Sequence, residues 1–140
     1  MALADVRNYF RNKLEALSFV EHRDAFAIDN IANNIIDQAF HLESGSISAS
    51  PADQLVHTYT FPIIVRIFRR GFNDTVDAHE AIIGDVDSIN ASVLQVSDRS
   101  TGDLFDVLPG SVTIIPISDS NDNLQIAEIT YSAILKSCFR

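Results

Sequence analysis

The sequence predicts an α+β fold: an antiparallel or mixed β-sheet with two helices packed on one face, in the order α-β-β-α-β-β-β, with one long hairpin arm. Three observations predict it. Two segments repeat apolar residues every three or four positions, the helical spacing. One stretch, Leu55 to Arg70, alternates with a period of two. The final third is a series of short alternating runs punctuated by Pro, Gly, Asp and Asn. No repeat or linker divides the 140 residues, so residues 1–140 read as a single domain.

The elements follow in order. Leu3, Val6, Phe10, Leu14 and Leu17 form the apolar stripe of a first helix, with Arg7, Arg11, Lys13 and Glu15 on its other side. Residues 18–34, with Asn30, Asn33 and Asn34, read as a loop containing a short helical turn. Residues 35–43 set Ile36, Gln38, Phe40 and Leu42 against Asp37, Ala39 and His41, a short strand with helical continuation as the competing reading. Residues 44–54, small and polar with Gly45 and Pro51, read as a long loop. In the strand from Leu55 to Arg70 the odd positions face the core and the even face is mixed. Pro62 lacks an N–H, which predicts a sheet edge or a bulge there. The strand far exceeds the usual length of about five or six residues, which suggests the projecting arm.

Gly71 to Asp74 make a turn into a second helix, with Asn73 or Asp74 as the N-cap and Asp77 in the first turn. Ile82, Val86, Ile89 and Val93 form its buried stripe, and Asp77, Glu80, Asp87 and Asn90 face water. Gly84, costly in mid-helix by about 1 kcal/mol, suggests close packing against a strand. A short strand from Phe105 to Leu108 turns at Pro109-Gly110 into another over Val112 to Ile117. Asp119 to Asn123 turn the chain into a last strand, Leu124 to Phe139.

Composition narrows the function. Ten Lys and Arg against nineteen Asp and Glu give a net charge of −9, which disfavours general nucleic-acid binding and anionic membranes. A mean hydropathy of +0.11 is high for so acidic a chain and hints that another subunit covers apolar surface. Cys138 stands alone, so there is no internal disulfide and no Cys-x-x-Cys pair. The opening MALADVRNYFRNK has no apolar signal-peptide stretch, and no apolar run approaches the ~20 residues of a bilayer span. Neither secretion by signal peptide nor membrane insertion is expected, and synthesis in the cytoplasm is.

Chemical motifs are sparse. His79-Glu80 starts a zinc-protease pattern, but Ile83 stands where the second histidine belongs. Asp119, Asn121 and Asn123 start a calcium loop that Leu124 and Thr130 break. No nucleophile elbow and no phosphate-cradling glycine loop occurs. The expectation is therefore no enzyme, no metal and no cofactor.

Arg66, Arg69 and Arg70 form the densest cationic cluster. It reads as a solvated strand end, as a set of interface arginines paired with carboxylates of a like subunit, or more weakly as a DNA contact. Asp74, Asp77 or Asp103 would supply those carboxylates. The candidate oligomer or partner interface comprises Ile64, Arg66, Phe68, Arg69, Arg70, Phe72, Asp74 and Asp77. Changing Arg66 and Arg70 to Ala is expected to weaken oligomerisation and leave the fold intact.

Ile35 to Leu42, the loop to Gln54, the strand ending Val65-Arg66-Ile67-Phe68-Arg69-Arg70-Gly71-Phe72-Asn73-Asp74 and the helix opening Val76-Asp77-Ala78-His79-Glu80-Ala81 follow in one order. That arrangement resembles the tail terminator (tail completion) proteins of long-tailed bacteriophages, in which a strand ending in a basic residue and Gly, then x-x-Asp, leads into the main helix. Ala127 to Tyr131 fits their closing strand, and the resemblance spans roughly residues 30 to 135. It implies a virion protein at the head-proximal end of the tail: a six-fold, head-to-tail homo-oligomeric ring that caps the tube, stops its polymerisation and joins it to the head. Its implied partners are the tail tube protein and a head-completion or connector protein. Genomic DNA would pass through the lumen without specific binding. Another head–tail connector or head-closure protein, a small hydrolase, or a binding module are the competing readings.

Overall fold

The computed structural model describes residues 3–21, 38–46, 48–51, 56–69, 75–94, 106–116 and 125–138. Its elements are α1 (Leu3–Ala16), β1 (Val20–Glu21), β2 (Ala39–Ser44), β3 (Ser48–Pro51), β4 (Val56–Arg69), α2 (Thr75–Val93), β5 (Asp106–Pro116) and β6 (Gln125–Cys138). The class is α+β, with both helices on one face of a single mixed sheet.

A strand of 14 residues needs neighbours over its whole length, because an unpaired backbone is costly once buried. β6, also 14 residues, pairs with β4 antiparallel from Val56 opposite Cys138 to Arg69 opposite Gln125. On the other side of β4, β3 covers His57 to Thr60 and β2 covers Ile63 to Phe68. β4 is thus the centre of the sheet, whose order is β1-β2-β4-β6-β5 with β3 beside β4, and it does not project as a free arm. β1 is parallel to β2 and the other pairs are antiparallel.

Pro62 therefore lies in a central strand, not at an edge. Its missing N–H falls on the side facing the break between β2 and β3, where its carbonyl accepts the Gly45 N–H at 3.0 Å. No bond to β6 is lost, since N–H and C=O of one residue point to the same side of an antiparallel strand. Two further expectations are corrected. Residues 48–51 of the supposed loop form β3. Pro109-Gly110 is not a hairpin turn: β5 runs on as one strand, with a register shift between Pro109 and Val112. A Cβ on Gly110 would sit 2.5 Å from the Thr130 carbonyl oxygen, so this bulge accepts only glycine. Within residues 18–34, Val20 and Glu21 form β1, and residues 22–34 lie outside the described residues. So do Ile36, Phe105 and the turn at Asp119 to Asn123.

The core fills the space between the helices and one face of the sheet. Val6, Phe10 and Leu14 of α1 and Ile82, Val86, Ile89 and Val93 of α2 pack on Phe61, Ile63, Val65 and Ile67 of β4 and on Ala127, Ile129, Tyr131, Ala133 and Leu135 of β6. Two tyrosines tie the layers together. Tyr9 of α1 donates to the Val93 carbonyl at 2.7 Å, and the buried Tyr131 donates to Asn90 Oδ1. Asn90 is therefore half-buried and turned inward rather than facing water. Gly84 is exposed, and a Cβ there would meet nothing within 4 Å, so no strand requires it.

α1 ends in a Schellman motif. The Phe19 N–H donates to the Leu14 carbonyl and the Ser18 N–H to the Glu15 carbonyl, while Phe19 and Leu14 both enter the core. Ser18 pays for this turn with a φ of 72°, a conformation that suits glycine. Ser18→Gly should raise stability by up to about 1 kcal/mol, read from the urea midpoint. Burial pushes the Tyr131 hydroxyl above its ordinary range, so the fold keeps this proton where the unfolded chain releases it. The resulting stability is intact below the ordinary pKa of 10.0 and is lost as pH rises beyond it. Tyr131→Phe should lose about 1 kcal/mol at neutral pH and show a shallower fall in stability under alkali, measured by urea unfolding across pH.

Candidate interaction surface

The second face of the sheet carries no helix among the described residues. Register places Glu43, Ile64 and Thr130 in one row across β2, β4 and β6, and His41, Arg66 and Glu128 in the next. Thr58, Thr60, Pro62, Ile64, Ser132 and Ile134 are half-buried, and Leu108 on the edge strand is 44% exposed. This surface is neither polar enough to be plain solvent face nor closed enough to be core.

Arg66 is caged on it. Its Nε donates to Glu128 Oε1 at 3.0 Å and its Nη1 donates to Glu43 Oε2, with 15% of the side chain exposed. Burial disfavours the charged guanidinium, but the hydrogen bonds to Glu128 and Glu43 outweigh that cost and hold its pKa above the ordinary value. Arg69, on the helix side, grips Asp85 of α2 side-on, Nε to Oδ2 at 2.5 Å and Nη2 to Oδ1 at 2.8 Å. Both side chains are largely shielded, at 16% and 12% exposure. The carboxylates expected from a neighbouring subunit thus come, for Arg66 and Arg69, from their own chain.

The remaining predicted interface residues scatter. Phe68 is 2% exposed, in register with the equally buried Ala39 and Ile126. It serves its own protomer rather than a docking surface. Ile64 lies on the helix-free face, and Asp77 is exposed in the first turn of α2. Arg70, Phe72 and Asp74 lie outside the described residues. The pairing of Glu43 and Glu128 with Arg66, and of Asp85 with Arg69, is not readable from the sequence, because cross-strand and strand–helix partners depend on register that spacing does not reveal.

A second feature was equally hidden. Between α1 and β2 lies a cleft of about 780 Å³ lined by Arg7, Arg11, Glu21 and residues His41 to Ser44. Arg11 is committed to Glu21 at 2.7 Å and to Asn8 at 2.7 Å. Arg7 is held by a carbonyl instead, its Nη2 donating to Leu42 at 3.2 Å. The helical spacing of Arg7 and Arg11 was legible; the strand edge they overlook was not.

Among the described residues no three His, Cys, Asp or Glu side chains gather to hold a metal ion, and no helix is long and apolar enough to cross a membrane. Compared with known proteins, the chain matches no family model and no curated sequence.

Arg66→Ala leaves two carboxylates facing each other across β4, so it should destabilise the protomer by about 1–3 kcal/mol in chemical denaturation. A double-mutant cycle on Arg69 and Asp85 should return a coupling of about 1–3 kcal/mol, since the pair is bidentate and shielded from water.

Proposed function

We propose that this protein is a structural component of a bacteriophage tail, a tail-terminator-like protomer that assembles into a six-fold ring. The ring caps the tail tube, ends its polymerisation and joins it to a head-completion or connector protein. One observation carries the reading. The long strand on which the resemblance rests, β4, is the centre of the sheet and turns a half-buried, partly apolar side, with Pro62 and Ile64, away from the helices. A surface of that character suits contact with further protein. The order β2, β4, α2, β6 is also the order of the resembling segments.

A ring built from one patch meeting a different patch closes without leaving a free edge. The net charge of −9 suits a channel through which DNA slides, since clustered cations would hold the phosphates.

The test is direct. Purified protein mixed with polymerising tail tube subunits should appear as rings at one tube end in negative-stain micrographs and should arrest elongation. Tubes that lengthen unchanged, with no ring bound, overturn the reading. Binding to portal assemblies in place of tube ends would assign the chain to head closure.

A further inference from the structure

Charge is divided unevenly along the chain. Residues 1–70 hold seven of the ten Lys and Arg, whereas residues 71–140 hold eleven of the nineteen Asp and Glu with only Arg99, Lys136 and Arg140 against them. Each half contributes one helix. α1 carries Arg7, Arg11 and Lys13, while α2 carries four carboxylates and no Lys or Arg.

The cleft beside α1 is short of negative charge in a specific way. Its two carboxylates are already engaged, Glu21 by Arg11 and Glu43 by Arg66. Arg7, exposed, donates through Nη2 to a carbonyl, and among the described residues it makes no ion pair, so most of its five N–H donors have no carboxylate there. A guanidinium so placed is best satisfied by a carboxylate arriving from outside.

The solvent face of α2 has the complementary character. Asp85 is spent on Arg69, but Asp77, Glu80 and Asp87 are exposed along one side. On the same side lie Gly84, Ser88 and Ala91, all exposed and all small, beside Ile83 at 40% exposure. Gly84 sits mid-helix at a cost of about 1 kcal/mol relative to Ala, and a Cβ there would meet no neighbouring element within 4 Å among the described residues. A second body approaching the helix closely would need it.

We propose that protomers pair head to tail, the Arg7 cleft of one copy receiving the solvent face of α2 of the next, with Glu80 and Asp87 on its guanidinium side and Gly84 at the closest approach. The occupant is a second copy of this chain, on the argument of charge complementarity. The inference rests on the ring reading, which requires each copy to present two different and matching surfaces.

Sedimentation velocity over a concentration series tests it with whole-length protein. Arg7→Glu alone, and Glu80→Lys with Asp87→Lys in one chain, should each weaken association at least about tenfold. Mixing the two variants should restore assembly, because each cleft then meets an α2 face of opposite sign; a six-membered ring accommodates strict alternation. Gly84→Leu should raise the melting temperature of the protomer, by helix propensity, and still weaken association. Variants that assemble like wild type, or a mixture that stays apart, overturn the pairing and leave the ring reading standing. A wild-type chain that remains monomeric at every concentration, also in the presence of tube ends, overturns both.

Discussion

Everything in this protomer depends on the antiparallel ladder between β4 and β6. Because it runs without interruption from Val56 opposite Cys138 to Arg69 opposite Gln125, each odd residue on β4 stands beside an odd residue on β6. Ile63 meets Tyr131, Val65 meets Ile129 and Ile67 meets Ala127, so one face is a continuous apolar floor for the helices. A slip of one residue would turn that floor to the other side. The same ladder dictates the second face, since whatever is even on one strand meets even on the other. Arg66 meets Glu128 for this reason and for no local one.

Electrostatics in this protein follow from that geometry rather than from net charge. In a chain at −9 the described arginines of β4 do not wait for a partner molecule; the fold satisfies them. Arg66 ties three strands together across the sheet, and Arg69 ties the end of β4 to α2. Shielded pairs of this kind matter more for fixing one arrangement than for adding stability, because the desolvation of each ion offsets much of the attraction.

The proposed ring asks three things of a protomer: two distinct matching surfaces, a rigid body between them, and a channel lining without clustered cations. The Tyr9 and Tyr131 hydrogen bonds and the shared core make α1, α2 and the sheet one mechanical unit. The cleft is lined by α1, β1 and β2, and no residue of α2 takes part in it. Function, on this reading, is a matter of where surfaces point.

The helical stripes were legible because a helix states its own burial every three or four residues: Val6, Phe10 and Leu14, and Ile82, Val86, Ile89 and Val93, are all in the core. The period-two run of β4 was legible for the same reason, as was the α+β class. Local signals misled wherever the answer depended on a distant strand. Pro62 and Pro109-Gly110 look like an edge and a turn until register shows that one faces a break between strands and the other bulges against Thr130. Phe68, Arg66 and Arg69 look like a docking patch until partners on other strands and on α2 claim them. Periodicity is a property of one segment and can be read along the chain. Pairing is a property of two, and only the folded sheet decides which side chains meet.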